Sequence, residues 1–114
     1  MSFELSPWDK SIPYKNEKTG YETTLYNSAV AGRAIGRSTQ TMTKWEIAGT
    51  IPATPFRVGG KRMYCEEQIK ILMDCAENAR ISQGRKISQT NFSSQVQKNW
   101  NELFREIFGV KEND

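Results

Sequence analysis

Apolar positions recur at helical spacing in four stretches of this chain, with short alternating runs between them. The most regular stretch is the last, residues 89–108. There Phe92, Val96, Trp100, Leu103, Phe104 and Ile107 follow at steps of four, four, three, one and three. Such spacing gathers all six on one side of an amphipathic helix, and Gly109 suits its C-terminal end. An aromatic stripe this large must either fold back on the preceding helix or meet its copy in a dimer. The dimer is the favoured expectation, because residues 82–86, Ser-Gln-Gly-Arg-Lys, read as a flexible joint. A long coiled coil is not expected, since no three heptads are sustained.

The centre of the chain carries the densest local signals. Val30, Ala31, Ala34 and Ile35 form an apolar face over residues 28–35, with Asn27 or Ser28 placed to cap it. Gly36 then permits a tight turn. Ser38 is an N-cap for a second short helix, residues 39–48, closed by Gly49. Met42 and Trp45 fall on its core side, leaving Thr39, Gln40, Thr43 and Lys44 largely on the other. Pro52 and Pro55 prevent continuation. Two runs, 56–58 and 62–64, flank Gly59-Gly60, a strong hairpin turn signal. Alternation sets Arg57 apart from Phe56 and Val58, and places Arg62 with Tyr64 opposite Lys61 with Met63. A third helix starts near Cys65 and runs to about residue 81, with Glu66 and Glu67 in its first turn and Ile69, Leu72, Met73 and Ala76 as its buried stripe.

Residues 1–27 read as an N-terminal arm. Pro7 and Pro13 interrupt helix formation, and residues 12–15 and 21–25 are placed to pair as a loose hairpin. Phe3, Trp8, Tyr14, Tyr21 and Tyr26 supply its apolar anchors. Two short helices across a glycine turn make a helix-turn-helix, and the basic hairpin directly after them makes a wing. The expected fold is therefore mainly α: a winged helix-turn-helix over residues 28–81 with a small β-hairpin wing, and a C-terminal amphipathic helix within residues 82–114 for dimerisation or fold-back.

Composition narrows the function. A chain of 114 residues fits one domain, and its 37% hydrophobic and 25% charged residues match an ordinary globular protein. No apolar run reaches the ~18 residues of a membrane span, and residues 1–7 show no signal peptide, so an intracellular, cytoplasmic protein without a membrane partner is expected. Cys65 and Cys75 lie ten apart in a chain without histidine, which argues against a zinc site and for free thiols. With no histidine base and no phosphate-binding glycine loop, neither an enzyme, a cofactor nor a small-molecule ligand is expected. The net charge is only +3, but from Arg33 to Lys86 ten Lys/Arg stand against five acids, while the flanking segments are each slightly acidic. A polyanion would be drawn to that central region.

Within it, residues 28–72 resemble the winged helix-turn-helix of MerR-type transcription regulators and the related phage excisionases. The family run from a small residue through Gly-hydrophobic-Ser, the second helix and Gly-Leu-Ile-Pro is matched by Ala31, Ile35-Gly36-Arg37-Ser38, Thr41-Met42-Thr43-Lys44-Trp45-Glu46 and Gly49-Thr50-Ile51-Pro52. The family wing is matched by Arg57, Gly60-Lys61-Arg62-Met63-Tyr64 and Glu66-Glu67. Thr43 stands where the family has a DNA-contacting arginine and Lys44 where it has an aromatic, and no cysteine array for metal sensing follows. The resemblance implies helix 39–48 in a major groove and the 56–64 wing on the backbone of double-stranded DNA.

The expected DNA contacts are Arg37, Ser38, Thr39, Gln40, Thr43 and Lys44 from the helix, and Arg57, Lys61, Arg62 and Tyr64 from the hairpin. The expected dimer contacts are Phe92, Val96, Trp100, Leu103, Phe104 and Ile107. The leading expectation is a sequence-specific regulator or excisionase-like architectural factor, a homodimer acting in a bacterial cell or phage-infected host. Two alternatives stand beside it: an oligomer resembling phage terminase small subunits, and a protein-interaction adaptor that reuses the scaffold.

Overall fold

The computed structural model describes residues 11–81, 86–87 and 90–109. Along them run β1 (Ser11–Lys15), β2 (Glu22–Asn27), α1 (Ser28–Ala34), α2 (Thr39–Ala48), β3 (Phe56–Val58), β4 (Lys61–Cys65), α3 (Glu66–Ala79) and α4 (Phe92–Phe108). The strands form one antiparallel sheet in the order β1-β2-β4-β3, curled as a half-barrel.

This sheet overturns the expected mainly α, winged helix-turn-helix fold. The expected wing is a small hairpin standing by itself after the two helices. Here β4 pairs with β3 on one side and with β2 on the other, Leu25 opposite Cys65 and Tyr26 opposite Tyr64. The reason lies in β2. Leu25 and Tyr26 are adjacent and both buried, so the strand has core on both faces. A strand of that kind needs pairing partners and cannot stay in a loose arm. Residues 12–15 and 21–25 do pair, as expected, across a turn where Asn16 Oδ1 accepts from the amides of Lys18 and Thr19 at 2.9 and 3.0 Å. Phe3 and Trp8 lie outside the described residues, as does most of the 82–86 joint.

The two faces of the sheet carry two apolar clusters. Tyr26 and Tyr64 point into the larger, with Val30, Met42, Leu72 and Trp100. Leu25, Phe56, Met63 and Cys65 point into the smaller, with Leu103 and Ile107. α4 serves both: its first half fills the larger cluster and its second half covers the smaller. Its ends are tied to distant loops. Ser93 Oγ donates to the Thr50 carbonyl at 2.6 Å, and Thr19 Oγ1 donates to the Ile107 carbonyl at 2.7 Å. The stripe expected to dimerise is thus an internal one. Phe92, Val96, Trp100 and Ile107 are fully buried and Leu103 nearly so, with Phe104 half-buried beside them. A helix that meets a partly formed core of its own chain buries its aromatics there first, without the association entropy of a second copy. Among the described residues no helix is long and apolar enough to cross a membrane.

Candidate nucleic-acid interface

α2 is held in place from its termini inward. Ser38 Oγ accepts from the Thr41 amide at 3.1 Å, and Gly49 closes the helix at φ +80°. Its core side rests on buried Met42 and on Trp45, whose ring lies 5.4 Å from that of Phe92 on α4. α1 approaches closely because Gly32 has no side chain: a Cβ there would stand 2.6 Å from the Arg37 carbonyl oxygen. These contacts all lie beneath α2. Its outer side, with Thr39, Gln40, Lys44 and Ile47, is left exposed. The tail helix does not cover it.

One carboxylate joins α2 to the hairpin. Glu46, whose side chain is only 5% exposed, takes the Nε of Arg62 at 2.7 Å and an Nη of Arg57 at 3.4 Å, both on Oε1. Its Oε2 accepts from the Thr54 amide at 3.2 Å. Arg57 and Arg62 face each other across β3 and β4, so the ladder brings both guanidinium groups to that oxygen. The Thr54 hydroxyl extends the joint inward, donating to the Met63 carbonyl at 2.6 Å and accepting from buried Gln68 at 3.4 Å. A carboxylate held by three donors cannot swing away. Arg57 keeps almost half of its side chain in solvent and Arg62 about a quarter, and each keeps donors that Glu46 does not use.

The expected contact residues therefore divide. Thr39, Gln40 and Lys44 are exposed on α2 and Thr43 is half-buried, while Arg57 and Arg62 meet the same helix at Glu46, one turn on from Thr43. Ser38 is at the helix start with its hydroxyl engaged as the cap. Arg37 turns inward, donating to the Ile81 carbonyl at 3.3 Å. Lys61 is exposed but pairs with Val58, on the strand face opposite Arg57 and Arg62. Tyr64 is a correction: it is wholly buried, 6.0 Å from the Trp100 ring, because its strand has core on both faces. Burial pushes its phenol up to about 12. No protein-family model, curated protein or solved structure matches this chain.

Sequence reasoning assigned no role to Glu46, Thr54 or Ile47. Glu46 had a signal, since it falls three residues after Thr43 on the polar flank. Thr54, between two prolines, had none, because its partners are distant in sequence.

A separate cleft of about 420 Å³ opens between Tyr21, α3 and α4, lined also by Glu67, Lys70, Ile71, Leu103 and Glu106 among others. Burial works to raise the pKa of Glu67, but hydrogen bonds from Thr23 and Tyr21 outweigh it and hold the carboxyl below its ordinary value. Glu67, Glu102 and Glu106 against Lys70 make the lining net acidic, which disfavours a polyanion there.

Proposed function

We propose that this chain binds double-stranded DNA through the outer side of α2 and the adjacent arginines, as a transcription regulator or excisionase-like architectural factor. One observation carries the reading: Glu46 ties Arg57 and Arg62 to a helix whose exposed residues include Thr39, Gln40 and Lys44. Amide, hydroxyl and ammonium groups on an exposed helix are suited to base edges in a major groove. Guanidinium groups held to one side of it are suited to the flanking phosphates. The likeness of residues 28–72 to MerR-type regulators supports the same partner. It bears on this local run and not on the fold.

The test is titration of a labelled mixed-sequence duplex at several salt concentrations. Affinity is expected to fall with salt. Lys44→Ala and Arg57→Ala should each weaken binding, and each phosphate contact removed should flatten the plot of log affinity against log salt by about 0.9. A doubly substituted chain that binds as tightly as the unaltered one refutes the assignment. Absence of salt-sensitive binding favours the protein-interaction adaptor instead.

A further inference from the structure

Ile47 is 75% exposed, more than any other large apolar side chain among the described residues. Its place on α2 makes that exposure specific. Gln40, Lys44 and Ile47 follow at i, i+4 and i+7, so they form a single ridge, and all three are exposed. The ridge cannot roll. Met42 is wholly buried on the far side, and neighbouring Glu46 is fixed by Arg57, Arg62 and the Thr54 amide. A hydrophobic side chain is thus held outward in the last turn of α2, at the end of a ridge that carries an amide and an ammonium group.

We propose that Ile47 recognises the 5-methyl group of a thymine in the major groove, and that the preferred duplex therefore carries a T·A pair at that position. This rests on the DNA-binding reading above and adds the determinant of sequence preference. Major-groove chemistry supports the choice of ligand. The thymine methyl is the apolar feature of that surface, and aliphatic side chains read it by contact. The same ridge supplies a glutamine amide, which matches an adenine edge, and a lysine for a guanine edge or phosphate. Gln40 and Ile47 lie about 10.5 Å apart along the helix axis, at ~1.5 Å per residue. That is about three base-pair steps of ~3.4 Å, so a helix lying along the groove spans the bases of one short site.

The decisive experiment replaces thymine by deoxyuridine, which removes the methyl and nothing else. A preferred site is first selected from a randomised duplex library with the full chain. Each thymine of that site is then replaced in turn and affinity measured. The unaltered chain should lose about three- to fivefold at one thymine, the worth of one buried methyl. Ile47→Ala should bind the thymine and deoxyuridine duplexes equally, and Ile47→Val should retain most of the difference. Because the side chain is exposed, both variants should melt with the unaltered chain. Salt-sensitive binding without any thymine–deoxyuridine difference overturns this proposal and leaves the DNA-binding reading standing. Persistence of the difference in Ile47→Ala does the same. No binding to any duplex overturns both.

Discussion

At Gly32 one missing methyl group sets the distance between α1 and the segment that follows it. The backbone carbonyls of Arg37 and Ser38 fill the space a Cβ would need. Backbone yields less readily than the end of a flexible side chain, so Gly32→Ala should destabilise the fold by about 1–3 kcal/mol, read as a lowered urea midpoint. Nothing in the local sequence singles out this glycine, because the opposing atoms come from beyond the turn. Glu67 makes a related point about charge. A carboxyl whose folded pKa is depressed contributes stability that is complete above its unfolded value, near 4.5, and is lost as pH falls through the folded value. Urea unfolding at neutral pH and near pH ~3 should therefore show the advantage of the unaltered chain over Glu67→Gln shrinking in acid. An advantage that stays constant with pH would exclude ionisation as its source.

At the scale of the element, α2 was readable almost completely. Its cap at Ser38, its left-handed close at Gly49 and its buried Met42 all follow from local rules. Ser38→Ala should cost about 1 kcal/mol, measurable by thermal unfolding. Its attachment to the hairpin was not readable. Glu46 meets Arg57 and Arg62 across 11 and 16 residues, and only strand pairing brings both cations to one oxygen. Glu46→Ala should cost about 1–3 kcal/mol, because the Thr54 amide and two guanidinium groups lose their acceptor. It should also weaken duplex binding, by freeing the two arginines to wander. If the variant bound DNA more tightly than the unaltered chain, the carboxylate would be a competitor for the arginines rather than their anchor.

Across the whole molecule α4 is the element that unites the fold. It fills the larger cluster with Phe92, Val96 and Trp100 and the smaller with Leu103 and Ile107. The Trp100 indole also donates to the buried Gln68 carbonyl at 3.2 Å. Trp100→Ala should destabilise by about 3–5 kcal/mol, with a melting temperature independent of protein concentration. A concentration-dependent loss, or a change of mass by light scattering, would restore the dimer expectation. The apolar stripe itself was plain in the sequence. Its destination was not, since periodicity states that a face must be covered but not by what.

What the sequence determined by itself was local. Helix periods, caps and the Gly59-Gly60 turn depend on neighbours within a few residues, and the excess of cations between Arg33 and Lys86 is read directly from composition. Tertiary structure decided the rest: that residues 11–27 of the expected arm supply two strands of a four-stranded sheet, that Tyr64 goes inward, and that Arg57 and Arg62 converge on Glu46. Each of these depends on groups far apart in the chain, and their meeting is set by strand register and by which surface remains to be covered when the core closes.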